Sequence, residues 1–506
     1  MLSFAFNTVL HAADSHPNRK PGAFLGQQNA LENDSRLCCL QSELLGEICG
    51  FLPTRDVAAL RLTCRTLERK SYNSFINLFK HRTVFLTPES LKNFVAMTQK
   101  NELGCLLRNC TIQGVAQEET AEQTRDGDAG DKGDTELQGL LTEGFSNLAA
   151  HGQSRSLMSL TLGIAARVKL RSGSLLRPPH FRSARAIWKR ARETFNIVMA
   201  ALNEAQLVVE DELNIFNDTV GCSLEVNHFI AIHRQFLNFN PLQTITTLRL
   251  SISLPYTSDS DTYYIHNNDE DLLHPDFRSD FQVVQSDGVL QIVRQVLARC
   301  MPDVESLEVH WYTVGVDLIS EAPLYAETLF DKQIELPRLS LKECRLYGVG
   351  VTPEQLFEFI DGVRPKALTM TDLCMINGSW DGVISHITDP ETAIDSFHLD
   401  DLAVREGEQQ RLVHFAAPGG PKFRYGDNAG WPSTITRTPG TAKEYLQHRE
   451  IARDLNTNTK SNAFTYWRQL RAARNGPPNS CRWFDFIKLN DGPLPILAFG
   501  VKDDDL

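Results

Sequence analysis

The sequence predicts an α/β chain, α+β in its overall make-up. A short three-helix segment comes first, and an irregular solenoid of parallel strands with outer helices follows. Three observations predict it. Apolar residues recur at helical spacing through 37–80, cut into short pieces by turn formers. From about residue 210, short strand-like apolar patterns return at similar intervals, with helical stripes between them. Composition is that of a folded chain: of 506 residues, 42% are hydrophobic and 23% charged, which excludes a mostly disordered, coiled-coil or collagen-like protein.

Charge and cysteine usage narrow the function classes. Lys+Arg is 51 and Asp+Glu 63, a formal net charge of −12. An acidic balance argues against a dedicated nucleic-acid binder. No run approaches the ~20 apolar residues of a membrane helix. Met1 to Ala13 lacks the basic start of a signal peptide, and Asn7 and His11 break its apolar run. The eleven cysteines are scattered, with no CxxC pair. That pattern suits buried thiols in a reducing compartment, cytoplasmic or nuclear, better than a disulfide framework.

The elements follow in order. Residues 1–36 are polar and turn-rich, the composition of a mobile tail. Leu44, Leu45, Ile48 and Leu52 place an amphipathic helix over 42–51, and Pro53 stops it. Thr54 can cap a second helix over 55–62, with Asp56 in its first turn. Leu60, Leu62, Cys64 and Leu67 lead into a third helix through about 78. Arg82 to Leu86 is a short β-type run. Thr87-Pro88-Glu89 then opens a helix to about 99, with proline at its first position. Segment 81–115 therefore begins the strand-and-helix region.

Residues 116–136 carry eight acidic residues and almost no large apolar ones, so a disordered acidic insert is expected. Residues 155–192 carry ten Lys/Arg and no acid. They are read as a solvated basic face, with contact to RNA, a membrane surface or an acidic substrate as the alternative. Ser183 to Gln206 predicts a helix with Ile187, Phe195, Val198, Met199 and Leu202 on one side.

The repeat signal runs through 137–402. Leu336-x-x-Leu339-x-Leu341-x-x-Cys344-x-Leu346 fills every position of the LxxLxLxxN/CxL template of leucine-rich repeats. Leu248 and Leu250, Leu307 and Val309, Leu368 and Met370, and Phe397 and Leu399 match it in part. Anchors at 213, 248, 307, 339, 368 and 397 step by 35, 59, 32, 29 and 29. The step of 59 contains an acidic insertion at about 255–285. Helical stripes lie between, at Val289–Leu297 and at Pro353–Ile360. Thr352 caps the latter and Asp361-Gly362 ends it. A parallel-stranded solenoid is favoured over a compact set of βα units. Residues 403–506 leave the pattern: 416–441 predicts loop, 442–473 helix, and the end a cap.

The helical segment resembles the F-box, in the form found in F-box-like domains of filamentous-fungal proteins. The residues that carry the resemblance are Leu40-Gln41-Ser42-Glu43-Leu44-Leu45-x-Glu47-Ile48 and Leu52-Pro53-Thr54-Arg55-Asp56-Val57-x-x-Leu60-Arg61-Leu62-Thr63-Cys64-Arg65-x-Leu67. Such domains commonly continue into an RTVFL strand, as Arg82 to Leu86 does, and into degenerate leucine-rich repeats. The likeness covers about 37–80. One departure is Leu40-Gln41 where the family has Leu-Pro.

The resemblance implies a substrate-recognition subunit of an SCF-type ubiquitin ligase, with no bond chemistry of its own. The Skp adaptor, and through it a cullin scaffold, would bind at Leu40, Gln41, Leu44, Leu45, Ile48, Leu52, Pro53, Leu60, Leu62 and Cys64. The alternative is a Skp-binding or scaffold repeat protein without ligase work. The residues themselves point the same way, because a 40-residue bundle cannot bury so many apolar side chains internally. Packing of that surplus on the protein's own repeats is the competing explanation.

On a repeat strand, the residues between buried leucines face the inner side. Arg249, Glu308, Ser340, Thr369 and His398 are therefore the expected substrate-binding positions, a polar set suited to a protein substrate. No phosphate-binding loop, HExxH or GxSxG motif occurs. Gly348-x-Gly350 reads as a turn, and His228 and His233 are out of phase for one metal. Asp259-x-Asp261 lacks the EF-hand glycine. No catalytic residue, cofactor or metal is expected, and no nucleic acid or membrane as partner.

Overall fold

The computed structural model describes residues 36–52, 54–100, 102–117, 130–152, 154–170, 173–177, 184–219, 222–236, 238–253, 289–312, 336–406, 409–418 and 431–452. The expected tail at 1–36 except Arg36, which opens the first helix, most of the acidic insert, the insertion at 255–285, Pro53 and the chain after 452 lie outside them.

Five short helices open the described chain: α1 (Arg36–Cys39), α2 (Ser42–Gly50), α3 (Thr54–Thr63), α4 (Arg65–Lys70) and α5 (Tyr72–Asn77). The expected third helix is thus two. Ser71 divides them: its hydroxyl donates to the Leu67 carbonyl at 2.6 Å, the local back-bonding that bends helices. Leu45, Cys49, Val57, Leu67 and Phe75 form a core of their own, separate from the main one.

The main body then begins with β1 (His81–Phe85), α6 (Pro88–Thr98), β2 (Asn109–Gln117), α7 (Gly130–His151) and β3 (Ser156–Leu170). Helix α6 starts as expected, with Thr87 Oγ1 accepting from the Ser90 amide. Helix α7 corrects the sequence reading, because its first turns occupy 130–136. Leu137, Leu141, Phe145 and Leu148 supply its buried stripe and carry the helix back past the acidic residues. Within the basic run, β3 pairs with β4 (Gly173–Arg177) as an antiparallel hairpin. Next come α8 (Ala184–Ala205), β5 (Val208–Ile215), β6 (Leu224–Glu225), α9 (Val226–Gln235) and β7 (Thr247–Ser253). The series continues with α10 (Val289–Cys300), β8 (Ser306–Tyr312), β9 (Glu343–Tyr347), β10 (Gly350–Val351) and α11 (Pro353–Val363). It closes with β11 (Ala367–Thr371), β12 (Cys374–Ile376), α12 (Trp380–Thr388), β13 (Ser396–Asp400), β14 (Ala403–Glu406), β15 (Gln409–Phe415), β16 (Thr434–Arg437) and β17 (His448–Ala452).

The large sheet runs β1-β2-β3-β5-β7-β8-β9-β11-β13-β16, with β4 on β3 and β6 on β7. Every neighbour from β1 to β13 is parallel, and only β16 and the β4 hairpin are antiparallel. Its ends, β1 and β16, do not meet, so it is no closed barrel. Successive helices from α6 to α12 each touch the next, forming one layer over the sheet. Leu160, Leu213, Leu248, Leu307, Cys344 and Leu368 stand opposite one another in register and are buried beneath that layer. Each buried leucine contributes roughly 1.5–3 kcal/mol.

A second sheet, β10-β12-β14-β15-β17, runs beside the late part of the first. The corner between the two strands of a unit is a single left-handed residue: Gly348 (φ 73°), Asp372 (φ 61°) and Asp401 (φ 51°). Glycine and aspartate are among the residues that tolerate this region.

Three further boundaries differ from the sequence reading. Ser340 lies ahead of β9 rather than on a strand. The amides of Leu339 and Leu341 instead donate to the carbonyls of Gly362 and Val363, satisfying the open end of α11. Gly362 sits inside α11, where a Cβ would clash with Arg294 Nε; the left-handed cap is Arg364. Residues 448–452 form β17, paired with β15, where a helix was expected.

Candidate functional site

Two surfaces emerge from this architecture. The first belongs to the N-terminal bundle. Of eight exposed large hydrophobic side chains among the described residues, six lie here: Leu37, Leu44, Ile48, Phe51, Leu62 and Tyr72. Leu44, Ile48 and Phe51 follow at i, i+4 and i+7 and so share one stripe of α2. Phe51 is 89% exposed. Such a concentration on so small a unit has the character of a protein-binding patch.

The expected adaptor residues divide across this bundle. Leu44, Ile48, Leu62 and Gln41 are exposed, and Leu40, Leu52, Leu60 and Cys64 are half-buried. Leu45 is fully buried; it faces the bundle core rather than the patch. Gln41 is the N-cap of α2, with φ −62° and no side-chain cap bond. That φ is the one proline imposes, so the departure from Leu-Pro leaves the backbone in the proline-like conformation. Lys70 Nζ donates to the carbonyls of Cys38 (2.8 Å) and Leu40 (2.6 Å), tying the entry of α2 to α4. Arg61 lies with its guanidinium 3.9 Å from the Phe75 ring centroid, and burial lowers its pKa.

The second surface is the sheet face away from the helices. Asn214, Arg249, Glu308, Arg345, Thr369 and His398 stand in one register row across six strands. Four of the five expected positions are in it. Ser340 is not, and Arg345 holds its place, flanked by buried Cys344 and Leu346 as Arg249 is by Leu248 and Leu250.

The centre of the row is ionic. Arg249 approaches Asp218 (3.2 Å), Glu308 (3.4 Å) and Glu212 (3.8 Å). Arg345 approaches Glu343 (2.7 Å) and Glu308 (3.7 Å). After β5 the chain turns at Phe216 (φ 57°) and brings Asn217 Nδ2 to Glu308 Oε1 at 2.9 Å. Burial works to raise the Glu308 pKa, but hydrogen bonds from His310 and Asn217 and nearby positive charge pull it down to about 2. Burial holds the His310 pKa below its ordinary value, and its ring stacks on Tyr347 at 4.2 Å between centroids. His310, Asn217, Asp218 and Tyr347 were not foreseen. For the two strand residues the signal was present, since His310 and Tyr347 each follow a row position by two.

The arrangement offers fixed charges and hydrogen-bonding groups on a rigid strand scaffold, which suits recognition. Among the described residues, no group of three or more His, Cys, Asp or Glu is placed to hold a metal ion. No described helix is long and apolar enough to cross a membrane. His228 packs on α9 with Glu225 at 3.9 Å, and burial, then Arg192, lowers its pKa to about 4. The His233 side chain and the Asp259/Asp261 pair lie outside the described residues. No family model matches the chain, and no curated protein matches it.

Proposed function

We propose that this chain is the substrate-recognition subunit of an SCF-type ubiquitin ligase. The bundle at 36–77 docks on a Skp adaptor, which carries it to a cullin, and the polar face of the sheet holds a protein substrate. In this reading the main body is a divergent leucine-rich-repeat solenoid. The observation that carries it is the exposed Leu44–Ile48–Phe51 stripe on a bundle with its own core, in the segment that resembles an F-box. Helix-on-helix docking would bury the stripe. The mechanism is proximity: a held substrate meets the ubiquitin-conjugating enzyme at raised effective concentration.

The test is capture of purified Skp adaptor and cullin by the full chain, wild type beside Leu44→Asp/Ile48→Asp. Circular dichroism checks that the variant folds. Capture of both partners by wild type and neither by the variant supports the proposal. Adaptor without cullin marks the scaffold alternative. Failure of wild type to bind adaptor overturns both.

A further inference from the structure

We infer that Cys38 and Cys64 form a thiol pair that peroxide converts to a disulfide, stapling the N-terminal bundle. The inference does not depend on the adaptor role proposed above.

Three observations carry it. Cys38 Sγ and Cys64 Sγ are 3.6 Å apart although 26 residues separate them in sequence. A disulfide has its sulfurs at about 2.05 Å, so closing the bond needs a relative shift of only about 1.5 Å. The two thiols also differ in access: Cys38 is buried and Cys64 is half-buried, so peroxide reaches Cys64 first. And the backbone around both is held. Cys64 is the extended N-cap of α4, while Lys70, at the far end of that helix, bonds the carbonyls of Cys38 and Leu40. The sulfurs therefore stay close as the bundle breathes.

The chemistry balances with hydrogen peroxide as the oxidant. The Cys64 thiolate attacks one peroxide oxygen, the O–O bond breaks, and hydroxide leaves to become water. Cys64 is then a sulfenic acid. The Cys38 thiolate attacks that sulfur, the S–S bond forms, the S–O bond breaks, and a second hydroxide leaves as water. Two thiols and one peroxide become one disulfide and two waters, with two electrons passing from sulfur to oxygen. The closed loop spans α2 and α3 and contains Leu44, Ile48, Phe51 and Leu62. A cross-link restricts the unfolded chain, so the oxidised bundle opens less often.

The test uses the reduced full chain. It is treated with hydrogen peroxide, blocked with an alkylating agent and digested with trypsin without reduction. Residues 62–65 (Leu-Thr-Cys-Arg) carry Cys64 alone, and residues 37–55 carry Cys38, Cys39 and Cys49. The expected product is these two peptides joined, with fragmentation placing the bond at Cys38. The same product is expected from Cys39→Ser, whose changed residue is exposed. Amide exchange over 38–64 is expected to slow by about tenfold or more on oxidation and to recover with dithiothreitol. Recovery of 62–65 as an alkylated or sulfinic peptide, a bond to Cys39 or Cys49, or unchanged exchange in the oxidised protein would overturn the inference.

Discussion

His310 donates through Nε2 to Glu308 Oε1 at 2.8 Å, from two residues further along the same face of β8. The carboxylate oxygen accepts, so Nε2 carries the hydrogen of this contact, and burial lowers the pKa of the ring. Glu308 is thereby the hub of the polar face, accepting from His310 and Asn217 while Arg249 and Arg345 approach its other oxygen. With its side chain only 12% exposed, the carboxylate sits in an environment where one missing partner leaves another uncompensated. Glu308→Gln is expected to cost about 2–4 kcal/mol of stability. A double-mutant cycle with Arg249→Met is expected to give a coupling of about 1–2 kcal/mol, because Arg249 keeps other carboxylates. Urea unfolding of the four proteins measures it, and a coupling near zero would remove Glu308 from the hub.

Acid should weaken this protein earlier than its carboxylates alone require. Burial lowers the pKa of His310 and His414, and that of His228 falls to about 4. A histidine lowered in the fold takes its proton more readily when unfolded. Its contribution is whole above the unfolded value of about 6.5 and drains as pH falls toward the folded value. Glu308 adds a second loss, from about 4.3 down to about 2. Thermal midpoints should begin to fall below about pH 6.5. His228→Asn should flatten the fall between about 6.5 and 4 by about 2 kcal/mol, a figure reduced for the partial exposure of the ring. A midpoint independent of pH over that range would contradict the assignment.

The strands from β5 to β13 were legible because their signal is local and periodic, whereas β2 ran into the segment read as acidic insert and β3 fell in the one read as basic face. Leu248 and Leu250, Leu307 and Val309, Leu368 and Met370 all read as alternating pairs, and all face the helices. Among the repeat anchors, the misplacement came at the best template match. Leu339, Leu341, Cys344 and Leu346 contain two such alternations, and the sequence does not say which one joins the sheet. The choice rests on non-local hydrogen bonds: Leu339 and Leu341 serve the end of α11, and Cys344 and Leu346 pair with β8 and β11. The loop residues Asn217 and Asp218 reach the polar face only because Phe216 takes a left-handed turn, which no pattern in a phenylalanine announces. In the bundle the periodicity of α2 was clear, but Leu44 and Leu45 are adjacent and equally apolar, so only packing separates patch from core.

That separation can be measured. Leu45 is fully buried beside Cys49, Val57 and Phe75, and Leu45→Ala is expected to destabilise the bundle by about 2–5 kcal/mol. Leu44 and Phe51 face solvent, and alanine at either is expected to change stability by no more than about 0.5 kcal/mol. Hydrogen exchange in the bundle reports the difference, because its core is separate from that of the sheet. Equal costs at 44 and 45 would mean that the stripe is covered.

Gln41 supplies the last prediction. Its φ of −62° already lies where a proline ring would lock it. The Leu45 amide donates to the Gln41 carbonyl at 3.1 Å, a bond that proline keeps because it retains its carbonyl. The change also narrows the unfolded ensemble. Gln41→Pro is therefore expected to stabilise the bundle by about 0.4–1 kcal/mol and, under the proposed function, to leave adaptor capture at least as strong as in wild type. Proline also pushes the preceding residue toward extended backbone, so the prediction extends to Leu40, whose carbonyl must stay on Lys70 Nζ. Slower exchange across α2 in the variant would meet the expectation. Faster exchange would show that the Leu40–Lys70 contact is lost when the ring enters, and that the glutamine is required for the way α1 joins α2.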